Sequence, residues 1–184
     1  TANTATSSIN TPFATGEDLN TLYGGTETGE NGFVKSETVG GCSACGTFGS
    51  VKKTYFYMTL ANSTSHQNQV TRLVVEDKQD SAGNAISRTV YGLEDKGRTL
   101  RKVLIKDPTT SPLYWCESWK MVTSGPSYRL AERRKPSAHN VTTASALRNF
   151  LNPYDGSSWT NDTNTLNSND GLIEVFGYDS TTGI

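Results

Sequence analysis

Val70-Thr71-Arg72-Leu73-Val74-Val75-Glu76-Asp77, Ile86-Ser87-Arg88-Thr89-Val90-Tyr91-Gly92-Leu93 and Arg98-Thr99-Leu100-Arg101-Lys102-Val103-Leu104-Ile105-Lys106 are the three runs that decide the fold. Each is rich in Val, Ile, Leu and Thr. Between them stand Asp80-Ser81-Ala82-Gly83-Asn84 and Asp95-Lys96-Gly97. Branched side chains suit a pleated surface, and Gly, Asp and Asn suit tight reversals. The spacing predicts a hairpin from the first two runs, with the third continuing it. Period two puts Leu100, Lys102, Leu104 and Lys106 on one face of the third run, and Thr99, Arg101, Val103 and Ile105 on the other. Asp107-Pro108 ends that strand, because proline has no amide for the ladder.

Upstream, Tyr55-Phe56-Tyr57-Met58-Thr59-Leu60 is a further aromatic strand before the loop at Asn62-Ser63-Thr64. Downstream, residues 113–122 form a strand with Leu113, Trp115, Glu117, Trp119 and Met121 on one side. Ser124-Gly125-Pro126 turns the chain into another strand at 128–134. One helix is predicted near 143–151. Thr143 caps it, Leu147, Phe150 and Leu151 make its apolar stripe, and Asn152-Pro153 stops it. A Ser/Thr/Asn-rich connection over 154–170 leads to a last strand at 172–178. The expected fold is mainly β, an antiparallel meander with one short helix. Its parts are an extended arm at 1–13, a Gly/Thr-rich loop region at 14–52 and a sheet domain at 53–184.

Composition narrows the function. The chain has 184 residues, 17 Lys plus Arg and 18 Asp plus Glu, for a net charge of -1. Without a basic excess it lacks the means to displace counterions from phosphates, so nucleic acid is not an expected partner. No apolar run approaches the roughly 20 residues of a membrane-spanning helix. Hydrophobic residues are 34% of the chain. Together with 26 Thr and 19 Ser this implies a thin core and many loops. The chain opens at Thr1 with no charged and apolar leader, which leads to the expectation of a trimmed leader or a fragment. The stop at Gly183-Ile184 likewise suggests a longer parent chain.

Chemical motifs are sparse. Cys42-Ser43-Ala44-Cys45 has half the spacing of a zinc site, but only Cys116, His66 and His139 could complete it, so no metal is expected. Its glycine-rich surroundings, Gly40-Gly41 and Gly46, suit a disulfide or a plain thiol loop better than a redox helix. The same loop lacks the Lys-Ser/Thr of a phosphate cradle. His66 and His139 sit in polar loops and read as solvated, and no Gly-x-Ser-x-Gly elbow surrounds a serine. Glu117 with Asp95 or Asp155 could mimic a glycosidase carboxylate pair, a weak signal among 18 acidic residues. The chain is therefore expected to be no enzyme and to need no cofactor. Arg129, Arg133, Arg134 and Lys135 form a basic cluster, expected to be a solvated strand end. Sequons at Asn62, Asn140 and Asn161 offer sites for N-glycosylation, although about three such triplets arise by chance in this composition. Trp115, Trp119 and Trp159, with Tyr114, could form a platform for sugar rings.

Two places share a pattern of Tyr, a following acid and a turn glycine. Tyr91-Gly92-Leu93-Glu94-Asp95-Lys96-Gly97-Arg98 is the fuller one, and Tyr178-Asp179-Ser180-Thr181-Thr182-Gly183 begins a second. This resembles the YD, or RHS, repeat family of large bacterial surface and secreted polypeptides, and the resemblance extends from Tyr55 to the C-terminal end. It departs from the family where Gly92 replaces the aspartate and where no arginine follows Gly183. The resemblance implies a sheet of RHS type, with Tyr91 covering its neighbour, Asp95 satisfying turn amides, Gly97 taking the left-handed position and Arg98 opening the next strand. It also implies an extracellular or cell-surface wall that encloses, adheres or assembles. The leading expectation is thus a structural protein that self-assembles into a fibre or shell with copies of itself. The arm, with Thr1, Thr4, Thr6, Ile9 and Phe13, would add as a β-strand to a neighbour. The alternative is a carbohydrate-binding surface module that uses the tryptophans.

Overall fold

The computed structural model describes residues 25–27, 33–34, 36–39, 51–60, 68–80, 85–108, 111–124, 127–151 and 171–178. The strands are β1 (Gly25–Glu27), β2 (Ser36–Val39), β3 (Val51–Leu60), β4 (Arg72–Gln79), β5 (Ala85–Leu93), β6 (Thr99–Lys106), β7 (Leu113–Ser124), β8 (Ser127–Arg134) and β9 (Ile173–Val175). Among the described residues, a short 3₁₀ turn at Pro136–Ala138 and the helix α1 (Ala144–Leu151) follow β8. The nine strands described belong to one antiparallel sheet in the order β1-β3-β4-β5-β6-β7-β8-β9, with β2 also on β3. From β3 to β8 every strand pairs with its neighbour in sequence, the meander that alternating apolar runs and polar turns require.

The mainly β architecture and the helix match the sequence reading. Some details do not. Region 14–52, expected to be loop, contributes β1 and β2, and β3 begins at Val51. Both strands are short and pair antiparallel with β3, β1 along Met58–Leu60 and β2 along 51–54. The last strand spans three residues instead of the seven expected.

Cross-strand register stacks one face of the sheet. Val75 pairs with Val90, Val90 with Val103 and Val103 with Cys116, and all four are buried. Leu73 and Ile105 extend this layer, and α1 covers it with Leu147, Phe150 and Leu151. Burying side chains of this size contributes about 1.5–3 kcal/mol each. The helix starts where predicted. The Thr143 hydroxyl accepts from the Ala146 amide at 3.1 Å, and the Thr143 carbonyl accepts from Leu147 at 2.9 Å.

Of the two faces of β6, the one with Val103 and Ile105 turns inward, and Arg101 goes with them. Its guanidinium donates to the carbonyls of Phe150 (3.2 Å), Leu100 (3.0 Å) and Trp119 (3.4 Å). The Phe150 carbonyl belongs to the last turn of α1, where carbonyls lack helical partners and a cation is favoured. Asp77 and Arg88 face each other across β4 and β5 on the same inner side, both buried, in a bidentate ion pair. A buried charge is tolerated when its partner meets it in this fork geometry.

Leu100, buried next to Arg101, and Met121 depart from simple alternation. The ladder of β7 and β8 shifts between Lys120 and Met121. Ala131 of β8 is the extra residue in that ladder, and beside this irregularity Met121 is buried in the core and not beside Trp115 as predicted. Gly92 lies on the inner face, where an added Cβ would come within 3.1 Å of Arg101 Cβ and of Val70 Cγ1. A side chain there would press on both neighbours, which the glycine leaves in place.

Candidate functional site

Three places gather most of the described residues singled out in the sequence: the β5–β6 turn, the sheet face turned away from α1, and the β9 edge. At the turn, Gly97 takes φ +86°, the left-handed conformation that glycine adopts without strain. The carboxylate that closes the turn is Glu94, not Asp95. It accepts from the Arg98 amide at 3.1 Å and from the Arg98 guanidinium at 3.0 and 3.2 Å. Asp95 is exposed. Burial opposes ionisation of Glu94, but hydrogen bonds from the side chain and amide of Arg98, with its positive charge, outweigh it and hold the carboxyl below its usual value. The i to i+4 spacing of Glu94 and Arg98 was the available signal for this clamp. The cations of Lys96 and Arg98 each lie 5.1 Å from the centre of the Tyr128 ring. Tyr91 stands on the outer face of β5 between Val74 and Lys102. Burial, then the nearby Glu76 charge, raises its hydroxyl pKa.

On the outer face, Trp115 is 45% exposed, while Trp119 is half-buried with the Arg133 guanidinium 5.8 Å from its ring centre. Arg133 also reaches Glu117 at 3.2 Å and Glu174 at 3.9 Å, and Lys135 lies 3.9 Å from Glu174. Arg134 is buried and bonds Glu132 at 2.9 Å, and Arg129 stacks 5.1 Å from the Tyr178 ring. The basic cluster is therefore built into ion pairs and ring contacts, a correction to the solvated strand end expected. Burial again opposes ionisation of Glu132, and Arg134 and Lys120 together bring its carboxyl below the usual value. Glu117 is engaged by Arg133, and Asp95 belongs to the turn, so the proposed carboxylate pair has no other support here.

His139 is not a solvated loop residue. Its Nε2 lies 3.1 Å from the buried Ser118 Oγ, and its ring meets Phe150 edge-on at 4.8 Å. Cys116 is a free thiol in the core, and burial pushes its pKa up to about 12. Tyr114 is half-buried beside the core, and Asn140 is exposed. Among the described residues, no three His, Cys, Asp or Glu side chains converge as metal ligands do, and no helix is long and apolar enough to cross a membrane. Thr1, Thr4, Thr6, Ile9, Phe13, Cys42, Cys45, Asn62, His66, Asp155, Trp159, Asn161, Asp179 and Gly183 lie outside the described residues.

The third place gave the weakest sequence signal. At β9, Leu172, Ile173, Val175, Phe176 and Tyr178 are all exposed, Val175 by 76%. One edge of β9 pairs with β8, and among the described residues no strand lies on the other. The Tyr178 hydroxyl donates to the Leu130 carbonyl at 2.7 Å, and the Phe176 amide to the Ala131 carbonyl at 2.9 Å, holding the segment against the sheet. No family model, no curated protein and no solved structure matches this chain.

Proposed function

We propose that this chain is a structural or adhesive protein of the cell exterior that assembles with copies of itself by strand addition, with no reaction of its own. The supporting observation is the β9 edge. Edge strands are normally blunted by charges, proline or bulges. Here the single charge, Glu174, is neutralised by Arg133 and Lys135, and apolar side chains flank it. Such an edge offers backbone hydrogen bonds together with apolar contact, the two components of strand addition. The arm at 1–13 is the donor this reading favours, and a head-to-tail join would build an open filament. The Ser/Thr-rich composition and the likeness to YD repeats point to the extracellular setting.

Light scattering coupled to gel filtration tests the reading. The full chain is expected to run as a concentration-dependent oligomer, and Val175→Asp to shift it to monomer without loss of β-sheet circular dichroism. A native chain that stays monomeric over a hundredfold range of concentration would overturn it.

A further inference from the structure

The segment from Gly171 to Tyr178 lies along β8 without entering the core. Only Glu174 in it is half-buried, and its other residues are exposed. Its attachments are polar and run its whole length. At one end the Lys135 amide donates to the Leu172 carbonyl at 3.0 Å, and the Leu172 amide to the Ser137 hydroxyl at 3.2 Å. Gly171 passes so close to the 3₁₀ turn that an added Cβ would come within 2.3 Å of Ala138 Cα, so any other residue would force the two backbones apart. In the middle, Glu174 meets Arg133 and Lys135. At the far end the Tyr178 hydroxyl donates to the Leu130 carbonyl, and Arg129 covers the ring.

We propose that this groove along β8 also accepts the same segment from a second copy, so that neighbours exchange residues 171–178. The exchange rests on the reading of the chain as self-assembling, and it names a joint distinct from the open edge of β9. The groove itself selects the occupant. It requires glycine at one end, an acid between two cations in the middle and a tyrosyl hydroxyl at the other end, and this chain's own sequence meets all three. Release of the segment leaves the core packed, because the layer around Val75, Val90 and Val103 and the helix over it include none of its residues. Residues 152–170 join Leu151 to Gly171. Extended, a connection of that length reaches up to roughly 60 Å, about twice the diameter of a small domain. A segment received from a neighbour makes every contact that the chain's own segment makes, so exchange changes the partner without changing the bonds.

Disulfide trapping between full-length variants tests the exchange. Glu132 and Val175 are a non-hydrogen-bonded cross-strand pair flanked by the Phe176–Ala131 bond, and a Cα separation of about 4.5 Å for such a pair admits a disulfide. With Cys42→Ser and Cys45→Ser in every chain, Glu132→Cys and Val175→Cys variants are mixed at the highest concentration of the light-scattering series and oxidised. Their mixed dimer is expected to exceed by at least about tenfold the dimer that Glu132→Cys forms with Asp95→Cys, an exposed position that reports collision alone. Gly171→Ala in the Val175→Cys chain is expected to bring trapping down to that background while the β-sheet circular dichroism persists. Trapping undiminished by Gly171→Ala would overturn the proposal. So would a mixed dimer no more abundant than the collision control. If that control level accompanies oligomers in light scattering, exchange fails and addition at the β9 edge stands. If it accompanies monomers throughout, both fail. A chain carrying both Glu132→Cys and Val175→Cys is expected to close the bond within itself or with a neighbour, and its failure to do so would overturn the pairing and the exchange together.

Discussion

Glu94 sits at the sharpest reversal of the sheet, with its side chain almost wholly out of water and Arg98 wrapped around it. Its lowered pKa makes a signed statement about acid stability. A carboxyl whose folded value lies below the ordinary 4.5 binds protons more readily once unfolded. The stabilisation is complete above pH 4.5 and is lost as pH falls through the folded value. Glu132, lowered in the same direction, acts in the same window. Glu94→Gln is expected to lower stability at pH 7 by about 1 kcal/mol, a figure reduced because Arg98 is more than a third exposed and screened by water. Urea titrations at pH 7 and pH 3 check this. The difference between variant and native should shrink at the lower pH, and an equal difference at both would contradict it. Asp95 was the residue the repeat pattern pointed to, and it faces solvent. The turn signal Asp95-Lys96-Gly97 located the reversal and its glycine but not its clamp, because adjacent carboxylates differ only in which one the backbone aims inward.

Strands β4, β5 and β6 were legible because period two, turn residues and branched side chains agree there. The irregularity in the β7–β8 ladder was not. An inserted residue changes which side of a ladder a side chain faces, and only the pairing with β8 reveals it, so Met121 was put with the tryptophans. Arg101 was equally hidden, since its place inside depends on carbonyls 18 and 49 residues away. Helix α1 was readable from its stripe and its cap. Thr143→Ala is expected to cost about 1 kcal/mol, because the Ala146 amide then loses its acceptor. Thr143→Ser should recover most of that in thermal unfolding, and an Ala variant as stable as the native chain would remove the cap from the account. At β9 the sequence showed an apolar strand but not that it forms a margin of the sheet, which is a property of topology.

Taken together, the sheet and its helix give Cys116 a place at the centre of the core, 1% exposed, with its thiol pushed up to about 12. Only opening of the core should let it react. In a chain with Cys42→Ser and Cys45→Ser, iodoacetamide labelling at pH 8 is expected to be slow and to rise with urea as global unfolding does. Labelling at the rate of a free thiol in the native state would contradict the packing described. The same ordering of strands bears on load. Six strands from β3 to β8 fold back in turn, an even number, so the start of β3 and the finish of β8 leave from the same side. Tension between those two points runs across the strands, along the direction of the interstrand bonds. It strains them a pair at a time from the outermost inward, and never all in parallel. Under traction the protein would yield by peeling, releasing length in small steps at modest force, a compliant link rather than a stiff rod.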